Sequence, residues 1–183
     1  MPQRPITSTS TTELVARDSM RYKTYNNVVE TITCIANNHL MINGVSTGDI
    51  WEIDLEKNTF YPYFHVNPVS VVAGENTLTM NYQLFIMDLV EPHQSNEQQV
   101  LSDTLQIMID VITQFRNGEK LRSYNQTHGT DIRYWTEGDF SMEPFVERFS
   151  NSVTGWVTDL PVIVEHNMNT CNTAFDNTDD CTQ

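Results

Sequence analysis

A long alternating strand that runs straight into a capped amphipathic helix constrains this chain more than any other feature. The run Leu78-Thr79-Met80-Asn81-Tyr82-Gln83-Leu84-Phe85-Ile86 ends in Met87-Asp88-Leu89-Val90, and the short turn Glu91-Pro92-His93-Gln94 follows. A helix is then predicted from Ser95 to Phe115, stopped by Asn117-Gly118. Ser95 or Asn96 stands at its cap, with Gln98 or Gln99 three residues on as in a capping box. Val100, Leu101, Leu105, Ile107, Met108, Val111, Ile112 and Phe115 form its apolar stripe. Glu97 in the first turn and Arg116 in the last match the helix dipole, and Gly118 suits the position just past the end. Such a pair of elements belongs at the centre of an α+β domain with one antiparallel sheet. No group in it carries chemistry, which points to work by shape and assembly.

The strand has two usable faces. Leu78, Met80, Tyr82, Leu84 and Ile86 make one, while Phe85, Met87 and Leu89 make the other apolar only in its second half. That half is expected to be covered on both sides, by helices or by a neighbouring subunit. The rest of the chain supplies the other elements. A first helix is predicted from Thr24 to about Leu40, with Tyr25, Val28, Val29, Ile32, Ile35 and Ala36 at helical spacing. Its β-branched content weakens its propensity, so tertiary packing must hold it, and a strand is the competing reading for part of it. Asn43-Gly44 reads as a turn. Asp49 to Leu55 alternates as a half-buried strand, with Trp51, Ile53 and Leu55 on one face, and Lys57-Asn58 is the next turn. Phe60 to Val66 is a further strand, placed at an edge or bulge by Pro62. Asn67-Pro68 and Gly74-Glu75-Asn76 bracket a short irregular connection. After Gly118 a long loop runs to Gly138 with at most one short strand. Met142–Phe149 and Val153–Val164 are two strands joined as a hairpin by Ser150-Asn151-Ser152.

These elements add up to an α+β fold: a single antiparallel (mixed) sheet of about five strands against two helices, with extended polar termini. At 183 residues the chain is long enough for one domain with a sizeable core. The division expected is a flexible N-terminal arm over 1–20, a core domain over 21–166 and a polar tail over 167–183. The formal net charge of −14, with only 10 unclustered Lys and Arg, repels phosphate backbones and anionic lipid alike. Specific nucleic-acid binding and membrane attachment are therefore not expected. The first dozen residues hold no apolar run of the signal-peptide kind, and no stretch is apolar enough to span a membrane. Cys34, Cys171 and Cys181 form no disulfide framework, and cytoplasmic synthesis is the plain reading.

No constellation for catalysis stands out. His39, His65, His93, His128 and His166 lie far apart without a metal-binding spacing. Glu143 and Glu147 share a face of one predicted strand, for which a solvated face is the simpler reading than a glycosidase pair. Glycines number 7, and none builds a phosphate loop. No catalytic, cofactor-binding or metal-binding residue is assigned, and no enzyme is expected. The aromatic residues Tyr124, Tyr134, Trp135 and Phe140 in the polar loop have two readings, as interface anchors or as a local mini-core. Together with Phe60, Tyr61 and Tyr63 on the edge strand, they are the candidate interface residues.

Three runs carry a resemblance. Val100 to Ile112, Phe149-Ser150-Asn151-Ser152-Val153-Thr154-Gly155-Trp156, and Val162 to Cys171 are similar to runs in structural proteins of phages of Bacteroidetes hosts, including the crAss-like group. Over residues 20–171, the order of a helix, a meander, a second helix and more strands resembles the tail-terminator and neck or connector-ring proteins of tailed bacteriophages. The resemblance implies a tail-terminator-like fold and a virion protein made in the host cytoplasm. It implies a ring of six or twelve subunits in the neck or tail, joining portal or head to tail and lining the channel through which DNA passes. Neighbouring portal, neck and tail proteins would be its partners, and no cofactor is implied. The alternatives are a small hydrolase or carbohydrate-binding module with a site assembled in space, or a host-facing binding protein at the tail tip.

Overall fold

The computed structural model describes residues 25–49, 60–91, 93, 95–117, 134–148 and 152–166. In chain order these form α1 (Tyr25–Asn37), β1 (Gly44–Thr47), β2 (Tyr63–Ala73), β3 (Thr77–Leu89), α2 (Glu97–Asn117), β4 (Tyr134–Trp135), β5 (Met142–Arg148) and β6 (Ser152–Glu165). The strands make one sheet in the order β1-β2-β3-β6-β4, with β5 also paired to β6. β1 runs parallel to β2, and every other pairing is antiparallel. The fold is thus α+β with a single mixed, curled sheet and two helices.

α1 forms despite its β-branched residues because its inward row is apolar and its threonines are satisfied locally. Val28, Thr31, Ile32, Ile35 and Ala36 are buried at the three- and four-residue spacing of one helix face. Thr31 Oγ1 donates to the Asn27 carbonyl at 2.7 Å, and Thr33 Oγ1 to that of Val29 at 3.0 Å. These hydroxyls therefore bond within the helix instead of competing with it. In α2, Val100, Thr104, Ile107, Met108, Val111, Ile112 and Phe115 are buried, and Gln99 and Gln106 donate to Asp103 and Asp110 four residues on along the wet side. Both helices lie on the same face of the sheet. There Val28, Ile32, Ile107, Met108 and Phe115 share one core with Phe64, Val66, Met80, Tyr82, Leu84, Ile86, Leu160, Val162 and Val164.

Several expectations change on contact with the fold. Asn43-Gly44 is not a simple turn, because Gly44 opens β1, which lies alongside Tyr63–Val66 of β2. Gly44 is required there, since a Cβ would strike the Tyr63 ring and the Phe60 carbonyl. Asn67-Pro68 does not end the preceding strand. β2 continues to Ala73, and its ladder with β3 absorbs the proline through a register shift between Pro68 and Ser70. Asn96 does not build a forward capping box. Its Oδ1 accepts the Glu91 N–H at 2.8 Å, its carbonyl accepts the Val100 N–H at 2.9 Å, and Ser95 Oγ donates to the Glu91 carboxylate at 2.7 Å. The cap residue thus ties the end of β3 to the start of α2. The strand expected over 49–55 falls outside the described residues beyond Asp49.

The second face of β3 is covered by the sheet itself. Phe85 and Met87 are buried, while Leu89 is exposed. Phe85 meets Phe145 of β5 edge-on at a centroid distance of 5.9 Å, and its other side faces the His65 ring of β2 at 6.1 Å. The curl that brings these strands around closes a second, smaller cluster on the face away from the helices.

Candidate interaction surface

The seven residues expected at an interface divide into four groups. Tyr124 lies outside the described residues. Tyr134 and Phe140 join the main core: Tyr134 is 6% exposed on β4, and Phe140 packs against the core under the Arg116 guanidinium, 5.8 Å from its ring centroid. Arg116 also donates to the Gly138 carbonyl at 3.1 Å, so the last turn of α2 holds this segment in place. Trp135 is half-buried, its Nε1 donating to Glu137 at 3.0 Å. The folded-back reading of the loop aromatics therefore describes Tyr134 and Phe140. The signal lay in β4, whose pairing with Ile163 and Val164 turns Tyr134 inward.

Phe60, Tyr61 and Tyr63 stay together near the surface. The Tyr61 and Tyr63 rings lie 6.4 Å apart at 56°, and Phe60 is 72% exposed. The turn after α1 is laced to this segment. Asn43 N–H donates to the Pro62 carbonyl at 2.9 Å, and Asn43 Nδ2 to the Tyr61 carbonyl. Leu40, 99% exposed, and Met41 sit on that turn, so three large apolar side chains are held in water on two linked segments. The same turn is braced from α2. Met41 N–H donates to His39 Nδ1 at 3.2 Å, which leaves Nε2 to carry the proton toward Asp110 at 3.4 Å. Scattered single apolar residues need no explanation, whereas a braced group of this kind is a candidate contact surface. Nothing in the sequence pattern singled out Leu40 and Met41, because a helix end reads the same whether its last apolar residues are covered or bare.

Below this patch, Asp88 of β3 is half-buried. Burial raises its carboxyl above the ordinary range and Asp103 adds to that, while the Leu89 N–H bond at 2.7 Å works against it. The Tyr61 phenol is raised by burial, then by Asp88 and Tyr63, and its buried hydroxyl has no hydrogen-bond partner among the described residues. A separate groove of about 160 Å³ opens where β2 shifts register, lined by Tyr25, Pro68, Val69, Val71, Met80 and Tyr82 among others. Tyr25 stacks on Tyr82 at its floor, 6.1 Å between centroids.

Among the described residues the candidate histidines and acids do not gather. His65 is 2% exposed, its Nδ1 2.6 Å from Ser46 Oγ of β1. His39 is on the turn after α1, His93 on the exposed connection to α2, His166 beyond β6, and Glu143 on the exposed side of β5. His128 is outside the described residues. Among the described residues no group of three or more His, Cys, Asp or Glu is placed to hold a metal ion, and no helix is long and apolar enough to cross a membrane. No protein-family model matches the chain, and no curated protein matches it.

Proposed function

We propose that the protein is a non-enzymatic structural component of a tailed-bacteriophage virion, forming a ring in the neck or tail. The observation that carries this reading is the braced apolar group Leu40, Met41 and Phe60 beside Tyr61 and Tyr63, on a chain with a net charge of −14. An acidic protein that exposes such a group is built to meet another surface there. Ring closure needs two different faces on each subunit. The second is β5, the outer strand opposite, where Val146 and Glu143 face solvent. The resemblance over residues 20–171 supplies the virion context, and the acidic surface would keep DNA from adhering as it passes.

The hydrolase reading has one arrangement in its favour, the contact between Ser46 and His65. With His65 only 2% exposed, the ring offers no approach for a substrate in this conformation. Among the described residues, the groove at the β2 register shift is lined by none of His65, His93 or Glu143. Light scattering behind a sizing column, at rising protein concentration, tests the ring reading. A discrete mass of six or twelve subunits supports it. A monomer at every concentration, together with virions that contain no ring of this protein, overturns it.

A further inference from the structure

We infer that His39 is a pH-operated latch on the turn after α1: the neutral ring holds the Leu40–Met41 backbone by accepting the Met41 N–H at Nδ1, and a proton taken up there releases it. Nδ1 lies 3.2 Å from the Met41 nitrogen, and Nε2 lies 3.4 Å from Asp110 Oδ2 on α2. A bond from one side chain to the N–H two residues on is the geometry of an Asx turn, ordinarily made by an Asn or Asp oxygen. An amide oxygen accepts at any pH. An imidazole nitrogen accepts only while unprotonated, and imidazole ordinarily changes charge between about pH 5 and about pH 8. The His39 side chain is 17% exposed, enough for water to deliver the proton.

The turn is anchored on both sides of this bond. The His39 N–H donates to the Ala36 carbonyl at 3.0 Å, the Ile42 N–H reaches the His39 carbonyl at 3.3 Å, and the Asn43 N–H reaches the Pro62 carbonyl at 2.9 Å. Ile42 is buried in the main core, so the far end of the turn is fixed. Between these anchors, among the described residues, the bond to His39 alone holds the backbone of Leu40 and Met41, whose side chains are exposed. Its loss frees two residues and leaves α1 and β1 in place.

The groups around the ring hold the ring and let the turn go. Asp110 is the charged group that faces it from α2, and its other oxygen accepts Gln106 Nε2 at 3.0 Å, so the carboxylate is steadied on that helix. α1 carries no basic residue in its last turn, and a cation two residues past its end meets the negative pole of its dipole. Cys34, one turn back, has its sulfur engaged by Asn38 Nδ2 at 3.4 Å. β1 brings no charged residue, and the laced segment 60–63 adds phenols, a class of group uncharged where imidazole titrates. The protonated ring therefore keeps Asp110 and gives up Met41, because Nδ1–H then meets the Met41 N–H and two donors cannot share a hydrogen bond. Leu40 and Met41 belong to the contact group described above. On that reading, release also weakens association, since the freed pair must be ordered again on contact.

The test uses the full chain at about pH 7.5 and about pH 5.5, on either side of the ordinary imidazole midpoint. Amide hydrogen exchange at Met41 is read as protection relative to the intrinsic rate at each pH, with the amides of residues 28–36 in α1 as the reference within the same molecule. His39→Asn places an acceptor that does not titrate where Nδ1 stands, and His93→Asn, on the exposed connection to α2, controls for removal of a histidine. In the parent and in His93→Asn, Met41 protection is expected to fall about fivefold at the lower pH, the worth of one hydrogen bond, while α1 holds. His39→Asn keeps its protection at both. Equal protection at the two pH values in the parent, an equal fall across α1, or the same fall in His39→Asn each overturns the inference. Light scattering at the same pH values separates the latch from the contact reading. A mass that falls with Met41 protection in the parent and not in His39→Asn supports both. Release of Met41 with an unchanged mass supports the latch and overturns Leu40 and Met41 as part of the contact.

Discussion

Phe145 of β5 and Gly155 of β6 are direct partners across their ladder, and the side chain that one lacks leaves room for the ring of the other. Phe145 lies over this position and meets Phe85 of β3 edge-on. A Cβ at Gly155 would drive into the Ile86 carbonyl of β3, a backbone group that cannot swing aside. At Gly155 the two longest strands thus leave no room for a Cβ, and Phe145 lies above this point. Gly155→Ala is expected to destabilise the fold by at least about 3 kcal/mol, since relief requires moving one strand. Phe145→Ala leaves the glycine clash-free but strips the cover from Phe85, at about 2–3 kcal/mol for a half-buried ring. Urea denaturation of both variants ranks them, and an alanine at 155 without cost would show that the strands are not so close.

Trp156, the next residue, points to the opposite face and donates from Nε1 to the Leu101 carbonyl at 2.7 Å. That bond pins the start of the second turn of α2 to β6. Trp156→Phe keeps most of the apolar area and removes the donor, with an expected loss of about 1 kcal/mol. Hydrogen exchange should locate the loosening in the first two turns of α2. A uniform change across the sheet instead would mean that the ring, and not its N–H, does the holding.

The elements visible in the sequence were those with a strong local period. β3, α2 and the β5–β6 hairpin sit within a few residues of where alternation, helical spacing and turn residues placed them. β1 was hidden because a four-residue strand opened by Gly44 shows no period, and its partner His65-Val66 lies beyond a long stretch of chain. The length of β2 was hidden because Pro68 reads as a break, and only the ladder with β3 shows that the strand steps around it. The apolar second face of β3 was legible, but its cover was not. That cover comes from sheet curl, a property of the six strands together that no single strand's sequence encodes. The exposed group at Leu40, Met41 and Phe60 was only one-third legible, through Phe60, because exposure is decided by what the fold leaves bare.

Asp88 gives the fold a pH dependence of known sign. Burial raises its folded pKa above the ordinary value, so the folded state holds the proton longer than the unfolded chain does. Stability from this group is therefore full at low pH and falls as pH rises from the ordinary carboxylate range through the raised value. Asp88→Asn removes the ionisation and keeps an oxygen to accept the Leu89 N–H. The variant should equal the parent near about pH 4 and be the more stable near about pH 7, by less than about 1 kcal/mol because the site is half in water. Thermal unfolding at the two pH values checks this. A variant less stable at neutral pH would assign the charged carboxylate a favourable partner.

Ser46 and His65 pose the sharpest choice between a structural and a chemical role. The hydroxyl lies 2.6 Å from Nδ1 of a ring that is buried between two strands and faces Phe85. As a structural pair, the contact satisfies a polar nitrogen in the smaller cluster and locks β1 to β2. Ser46→Ala then leaves that nitrogen without the hydroxyl and costs about 1–2 kcal/mol, with the native secondary structure kept. As a nucleophile and its base, the pair would instead need the ring accessible and the hydroxyl aimed at a substrate. The two roles separate in a hydrolase screen run on parent and variant at a temperature where both are folded. The structural role predicts no turnover by either. Conversion of any substrate by the parent that Ser46→Ala abolishes would give the pair a catalytic role and displace the virion reading.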